Sequence, residues 1–267
     1  MNLTAENYFS KESSKKYLSV SQYKNFIGSL GRPGCEARGL AELNGEFEQE
    51  KTTSLLVGSY VDAHYEGSLD LFKAQNPEIF TQKGTLKAEY KRAEEIINRL
   101  ERDEEFSKYM SGQKQVIMTA DMFGTPWKIK IDSYHPGVCI VDLKVMESLG
   151  KSFYLADTGR MNFVDNWGYY IQGAVYQKVV EINTGKKLPF YLAAASKEKV
   201  TDLDIIQFEQ SKMDEALAEV ESNIPKILAL KNGEIEPIRC GRRDCDYCKA
   251  TKVITGPIWS SELLGEC

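Results

Sequence analysis

The sequence predicts an α/β or α+β domain built around a mixed β-sheet, and three observations lead to this prediction. Residues 113–146 alternate apolar and polar side chains and are rich in β-branched and aromatic residues, which indicates three consecutive antiparallel strands. A continuous apolar run at 188–196 indicates a buried central strand. Segments with the apolar spacing of amphipathic helices lie before and after these strands, so we expect helices to flank the sheet.

The N-terminal part is predicted to be helical after a polar start. Residues 1–17 are mostly polar and are predicted to form a flexible arm. Ser19 is a suitable N-cap for a short helix that follows it. Longer helices are predicted over 53–67 and 87–106, because their apolar residues recur every three or four positions.

The second half continues with the three strands and then alternates helices and strands. Turn residues at 124–126 and 135–137 separate the three strands of the meander. The later predicted elements are a helix over 162–183 closed by Gly185, the strand 188–196, a strand over 202–209, and a helix over 210–230 that Pro225 kinks or stops.

Composition and charge limit the functional classes. Of the 267 residues, 42% are hydrophobic and 27% are charged, which is typical of a folded globular protein. No stretch approaches the ~20 apolar residues of a membrane-spanning helix, and no secretory signal is present, so we expect a cytoplasmic protein without a membrane partner. The net charge of −5 argues against binding nucleic acid through positive charge alone, but it permits an enzyme whose acidic site binds cations.

A single domain with short appended ends is the expected organisation, because the chain contains no internal repeat, low-complexity tract or long linker. We predict the flexible arm over 1–17, a domain over 18–236, and a cysteine-containing segment over 237–267 that packs on the same domain.

The hairpin around the 135–137 turn carries the strongest chemical signal. Asp132 precedes the turn, and Asp142 and Lys144 follow it on the same face of the returning strand. The register predicts that Asp132 lies opposite Asp142, where two carboxylates need a cation such as Mg²⁺ or Mn²⁺ between them. The alternative is a charged ladder on a solvent-facing strand. The position of Asp142 inside the apolar run VCIVDLKVM favours a site, because a buried carboxylate without a partner is costly.

The helix over 162–183 carries a second, weaker signal. Gln172 and Tyr176 lie one turn apart on one helical face, where they could contact a phosphate or a base. Core packing of an aromatic stripe explains the same spacing.

The cysteines form a third candidate site. Cys240, Cys245 and Cys248 are spaced C-x4-C-x2-C, and Cys35 lies far upstream. Four soft ligands suit a structural metal site such as Zn²⁺, and ordinary free thiols are the alternative.

The order of these motifs resembles the PD-(D/E)xK nuclease superfamily. The most similar branch is the RecB-like and RecE-like exonucleases, including the exonuclease VIII-like proteins of phages and prophages. The resemblance extends over 17–252, and the segments that carry it are YLSVSQYKNF, LLVGSYVDA, VDLKVMES, YYIQGAVYQ and CGRRDCDYC. It implies a restriction-endonuclease-like core, in which helices flank a central mixed sheet with an antiparallel meander.

The resemblance also implies roles for individual residues. Asp132 corresponds to the first metal-binding aspartate, Asp142 to the second acidic position and Lys144 to the catalytic lysine. Gln172 and Tyr176 correspond to the QxxxY motif, which contacts the substrate strand and supports the site.

Two positions depart from the family pattern. Ile131 stands where the motif has its proline. The family's further metal ligand is a histidine four residues after a helical glycine, but counting from Gly58 gives Asp62. His64 lies two residues later, which on a helix points about 200° away. We therefore expect Asp62 to be the metal ligand, with His64 as the alternative.

The implied function is a Mg²⁺- or Mn²⁺-dependent deoxyribonuclease. The resemblance implies an exonuclease that acts on linear double-stranded DNA in phage-type recombination or end processing. It further implies a phage single-strand annealing protein as a partner, a homo-oligomeric state, and a [4Fe–4S] cluster as an alternative to zinc at the cysteines. Two other hypotheses stay open: a catalytically inactive DNA- or protein-binding module of the same fold, and a cysteine-rich redox or zinc-binding protein.

Overall fold

The computed structural model describes residues 2–260. Met1 of the predicted arm and residues 261–267 of the predicted C-terminal segment lie outside this range. Within it, no helix combines the length and apolar character that crossing a bilayer requires.

Helices contribute more residues than strands to the described chain. The α-helices are α1 (Lys11–Lys16), α2 (Val20–Phe26), α3 (Glu36–Asn44), α4 (Thr53–Glu66), α5 (Leu69–Gln75), α6 (Ala88–Glu101), α7 (Glu104–Tyr109), α8 (Phe163–Trp167), α9 (Tyr169–Thr184), α10 (Gln210–Lys231) and α11 (Asp246–Ala250), with a short 3₁₀ helix at Pro77–Ile79.

The strands form one central sheet and two small hairpins. The strands are β1 (Gly28–Ser29), β2 (Arg32–Pro33), β3 (Gln113–Met122), β4 (Thr125–His135), β5 (Cys139–Met146), β6 (Phe153–Leu155), β7 (Gly159–Met161), β8 (Phe190–Ser196) and β9 (Leu203–Gln207). In the central sheet the order is β3-β4-β5-β8-β9, and β5 pairs with β8 in parallel while the other pairs are antiparallel. This mixed sheet with its β3–β5 meander confirms the predicted fold class.

The alternation of side chains along β5 divides the interior into two hydrophobic layers. Ile140 packs in the larger layer with α2, α9 and α10. Val141 and Leu143 point to the other side, into the layer formed by α4 and α6. Because β5 is buried between β4 and β8, polar side chains near its end are held at fixed positions.

The structure differs from the predicted flexible arm. Residues 11–16 form α1, whose N-cap Ser10 accepts a hydrogen bond from the Ser13 backbone N–H. Tyr8 and Tyr17 are buried, and the Ser13 hydroxyl donates to the Tyr8 carbonyl at 3.0 Å. The composition of this segment is polar, but its two tyrosines attach it to the domain.

Two predicted helices are interrupted, and a third is not. The predicted helix over 87–106 ends with α6, because Asp103 caps a new helix by accepting from the Phe106 N–H. The predicted helix over 162–183 is broken at Gly168, which adopts a left-handed conformation with φ 62°. In contrast, α10 continues through Pro225, where Ile224 and Ile227 are both buried in the core.

Candidate active site

A cleft of about 1130 Å³ is lined by residues of the central sheet and of the helices around it. Six predicted site residues line it: Asp62, Asp132, Asp142, Lys144, Gln172 and Tyr176. A smaller cavity of about 480 Å³ lies beside α6 and the segment 80–86, and none of these residues lines it. The structure therefore brings residues from β4, β5, α4 and α9 into one place.

The two hairpin aspartates lie next to each other in register. The ladder pairs Ser133 with Val141, and one residue further the strands part. In the gap, Oδ2 of Asp132 accepts a hydrogen bond from the backbone N–H of Leu143 at 2.9 Å. Asp132 thus takes over a position in the β4–β5 ladder, which holds its carboxylate against the strand that carries Asp142.

Asp142 is the most buried acidic residue of the cleft, with only 2% of its surface exposed. Its Oδ1 accepts from Nε2 of Gln172 at 2.6 Å. Its Oδ2 forms an ion pair with Nζ of Lys144, but no donor makes a well-oriented hydrogen bond to this oxygen. Burial raises the pKa of Asp142 to about 7, although Lys144 counteracts this shift.

Lys144 is held among negative charges. Burial disfavours its charged form, but Asp142 and Asp132 outweigh this effect and raise the pKa of Lys144 well above its ordinary value. The amine also donates to its neighbouring backbone carbonyl, that of Leu143, at 3.0 Å. Lys144 is therefore a fixed positive charge beside the aspartates.

Tyr176 links α9 to β4. Its hydroxyl donates to the backbone carbonyl of Lys130 at 3.2 Å, and the Lys130 ammonium pairs with Glu66 at 3.1 Å. Gln172 and Tyr176 therefore both face the central sheet, as their spacing predicts, and each contacts a strand that carries an aspartate.

The structure separates Asp62 from His64. Asp62 lines the cleft, whereas His64 does not, and its Nε2 lies 2.8 Å from Oε1 of Glu101. Burial first, and then the charge of Asp132, raises the pKa of Asp62 to about 8. The placement favours Asp62 over His64 as the additional ligand.

The composition of the cleft tests whether a hard divalent cation fits. Six carboxylates and four lysines line it: Glu6, Glu42, Asp62, Glu66, Asp132, Asp142, Lys24, Lys128, Lys130 and Lys144. The acidic excess, and the buried Oδ2 of Asp142 without a hydrogen bond, suit an ion that prefers oxygen ligands. Among the described residues, the oxygens of Asp62, Asp132 and Asp142 do not form a group within 4.8 Å of one another. Because Mg²⁺ binds oxygens at about 2.0–2.1 Å, the three carboxylates would have to move closer together to share one ion.

The four predicted cysteines form a separate cluster. The Sγ atoms of Cys35, Cys240, Cys245 and Cys248 all lie within 4.8 Å of one another. Cys248 is 3.7 Å from both Cys35 and Cys240. The cluster is largely buried and joins the start of α3 to the segment around α11, so it could bind a metal.

The surroundings of the cluster favour thiolate at one position. Burial opposes ionisation of Cys35, but hydrogen bonds from the Arg38 and Cys240 backbone and from neighbouring thiols outweigh it and lower the pKa of Cys35 to about 7. Arg242 ties the two segments together by donating to the Gly34 carbonyl at 3.0 Å. A thiolate is the form of cysteine that binds a metal.

Comparison with known proteins shows the family of this chain. Residues 19–251 match the family described as "PDDEXK-like domain of unknown function (DUF3799)". The chain belongs to this family. A crystal structure described as a "putative exonuclease" from Eubacterium rectale is 56% identical, covers 100% of both chains and has a TM-score of 0.95. A crystal structure of SSO0001 covers 70% of this chain and 84% of that chain at 12% identity, and its TM-score of 0.27 supports no conclusion. No curated protein matches the chain.

The comparisons confirm the PD-(D/E)xK resemblance and support a nuclease, whose fold implies a DNA substrate. Nucleases with a PDDEXK domain generally use divalent metals. The catalytic and ligand roles of individual residues remain predictions at this point.

Two further residues of the cleft, Lys24 and Gln115, were not predicted from the sequence. Lys24 of α2 lines the cleft and donates to the Trp167 carbonyl at 2.8 Å; burial, and then Lys144, lower its pKa to about 7. Gln115 of β3 donates to Oδ1 of Asp132 at 3.2 Å, and its own Oε1 is buried without a partner. Its φ of 52° is unusual for a residue within a strand. Lys24 lies in the segment YLSVSQYKNF, but the resemblance assigned it no role, and Gln115 lies outside the segments that carry the resemblance.

Proposed function

We propose that this protein is a Mg²⁺-dependent deoxyribonuclease, with Mn²⁺ as an alternative ion, and that it acts as an exonuclease on linear duplex DNA. The observation that carries the proposal is the buried carboxylate of Asp142, whose Oδ2 has an ion pair but no hydrogen bond and lies in a cleft beside Asp132 and Lys144. Burying an acidic group without a full set of hydrogen bonds is costly, and groups of this kind are found mainly at functional sites.

The residues divide the work of phosphodiester hydrolysis. Asp132 and Asp142, with Asp62, would hold the cation. When bound, a divalent ion offsets the charge of the scissile phosphate and makes an attacking water more acidic. Lys144 orients that water or stabilises the negative charge that develops on the phosphate oxygens. Gln172 fixes the Asp142 carboxylate, and Tyr176 fixes β4 and faces the substrate strand.

Cleavage of linear and covalently closed circular DNA in Mg²⁺ tests the proposal. We expect the wild type to degrade linear DNA only, and Lys144→Ala to lose activity by at least about 100-fold, as for other preorganised charges. Lys187→Ala is the matched control, because Lys187 is an exposed lysine that pairs with Asp214 and does not line the cleft.

Each other outcome contradicts a defined part of the proposal. Equal cleavage by Lys144→Ala would remove the lysine from the mechanism. Cleavage of the circle would indicate an endonuclease. DNA binding by the wild type without cleavage in either Mg²⁺ or Mn²⁺ would identify a catalytically inactive module.

The biological setting that we propose is phage-type recombination or end processing, with a single-strand annealing protein as partner and a homo-oligomeric assembly. Its support is the family resemblance. Co-purification with a phage single-strand annealing protein, and the molecular mass in solution, test these two interactions. A monomer that does not bind the annealing protein would contradict them.

At the cysteines we propose a single tetrahedral Zn²⁺ that staples the C-terminal segment, from residue 237, onto the nuclease domain 18–236. A Zn–S bond of about 2.3 Å places tetrahedral sulfurs about 3.8 Å apart, close to the observed 3.7 Å. A [4Fe–4S] cluster binds its thiolates at separate irons, so they lie farther apart.

Metal analysis of the purified protein distinguishes these possibilities. One zinc per chain, lost in Cys248→Ser, supports the proposal. Iron with acid-labile sulfide and visible absorption would establish the cluster instead, and absence of both metals after anaerobic purification would leave four free thiols.

A further inference from the structure

One wall of the cleft is formed by the N-terminal segment, which the motifs do not include. Ala5, Glu6, Tyr8 and Phe9 line the cleft together with Asp132. Tyr8 is buried, whereas Phe9 exposes 74% of its surface. An exposed aromatic ring thus stands within a cleft that is otherwise rich in charged groups.

Contacts of the neighbouring residue Tyr8 hold the backbone next to Phe9 in place. Nζ of Lys128 on β4 donates to the backbone carbonyl of Tyr8 at 2.5 Å and to Oγ of Ser13 at 2.8 Å. The rings of Tyr8 and Phe9 meet edge to face, with centroids 4.9 Å apart. The segment is therefore attached to the same strand that carries Asp132, and the phenyl ring is preorganised.

The ring lies close to the charged part of the site. Nζ of Lys130 is 5.0 Å from the centroid of the Phe9 ring. Lys130 precedes Asp132 by two residues on β4, or about 7 Å along the strand. Phe9, Lys130 and Asp132 all line the cleft, so the ring lies beside the strand that carries the aspartate.

We propose that Phe9 is a stacking platform for a DNA base next to the scissile phosphate, an inference that rests on the proposed nuclease function. Aromatic rings bind bases regardless of sequence, because every base offers a π-face. The platform gives the acidic cleft a means to bind DNA that does not depend on charge. It also positions the backbone relative to Asp132 and Lys144.

Fluorescence of 2-aminopurine near the end of a DNA strand measures this stacking directly. Binding is measured with Lys144→Ala as the parent, so that the DNA stays intact. We expect the parent and its Phe9→Trp derivative to quench the probe, and Phe9→Ala to abolish quenching and weaken affinity about ten-fold, within the range found for base–aromatic stacking. Tyr154→Ala is the matched control, since Tyr154 is 78% exposed and lies outside the cleft.

Steady-state cleavage by the otherwise wild-type enzyme gives a second readout. Phe9→Ala should raise KM about ten-fold with little change in kcat, and it should match wild type on DNA that has an abasic site at the stacked position. Unchanged quenching and KM in Phe9→Ala would overturn the platform while leaving the nuclease intact. A parent that binds no DNA would instead overturn the proposed function.

Discussion

Asp142 shows how the site depends on single contacts. A carboxylate that is 2% exposed loses most of its hydration, which costs several kcal/mol unless other groups replace the water. The Gln172 amide and the Lys144 ammonium replace part of it. The remaining capacity of Oδ2 is what a divalent ion would use, so stability and ion binding are linked at this residue.

Removing the Gln172 amide is predicted to destabilise the protein and weaken its affinity for divalent ions. Without its donor at 2.6 Å, the Asp142 carboxylate loses a hydrogen bond to a charged group, which is worth about 1.5–3 kcal/mol. Urea unfolding of Gln172→Ala in EDTA should show this loss, and titration with Mg²⁺ should show a higher Kd.

Gln177→Ala is the control on the same helix. Gln177 is also buried and donates to the Leu188 carbonyl at 2.7 Å, away from the cleft. It should lose about 1 kcal/mol with no change in ion binding. If Gln172→Ala binds Mg²⁺ as tightly as wild type does, Asp142 is not held for ion binding by this amide.

The sequence predicted the positions of Asp132, Asp142 and Lys144 because the two-residue period of a hairpin determines which side chains share a face. The helical period did the same for Gln172 and Tyr176. Lys24 and Gln115 could not be predicted, because they reach the cleft from α2 and β3 through tertiary packing and an irregular backbone. The choice between Asp62 and His64 needed the orientation of α4 as well.

At the scale of elements, β4 joins the core to the cleft. Trp127, Ile129 and Ile131 pack in the larger hydrophobic layer. Lys128 and Asp132, which alternate with them, line the cleft. One strand therefore carries the core side chains, the anchor of the N-terminal segment and a predicted metal ligand, so displacement of β4 would affect all three.

Lys128 is predicted to make the free energy of unfolding vary with pH in the alkaline range. Burial lowers the pKa of Lys128 to about 8, below its value in an unfolded chain. Between about pH 8 and 10.5 the unfolded chain therefore binds more protons at this residue than the folded chain does. In this range the free energy of unfolding rises with pH, by up to about 1.4 kcal/mol per pH unit. Below pH 8 Lys128 is protonated in both states, so its contribution no longer changes with pH.

Lys128→Met isolates this contribution. The difference in unfolding free energy between wild type and Lys128→Met, measured by urea from pH 7 to 10.5, should increase in favour of wild type. Exposed Lys187→Met should show no such change. A difference that is independent of pH would mean that Lys128 titrates normally.

The elements that the sequence mispredicted have local causes. Asp103 and Gly168 interrupt helices whose apolar periodicity continues across the break. Periodicity alone therefore predicted one helix at each place where the structure has two. The break at Gly168 also serves packing, since an added Cβ would lie 2.7 Å from that of Ser29 in the β1–β2 hairpin. For the N-terminal segment, a polar composition concealed the two buried tyrosines and the contact with Lys128.

At the scale of the whole molecule, the cysteine cluster brings distant parts of the chain together. Cys35 immediately precedes α3, and the other three cysteines follow α10, so the nuclease core lies between them in sequence. Glu36 reinforces the same junction by accepting from the Ile238 N–H at 2.9 Å and pairing with Lys226 at 2.6 Å. Since Gly39 and Glu42 of α3 line the cleft, the junction supports one wall of the site.

Loss of the proposed Zn²⁺ at the four cysteines is predicted to lower the stability of the protein more than its kcat. Closing a loop of about 200 residues removes chain entropy from the unfolded state, on the order of 3–5 kcal/mol. Cys248→Ser should therefore unfold at a clearly lower temperature, while its kcat at a temperature where it stays folded falls less than several-fold. A higher KM is expected, because α3 is then less firmly held beside the cleft.

Cys139→Ala is the matched control: Cys139 is a buried cysteine of β5 outside the cluster, so its substitution should leave the metal content unchanged. Equal unfolding temperatures for wild type and Cys248→Ser, with metal present only in the wild type, would show that the cluster does not staple the fold.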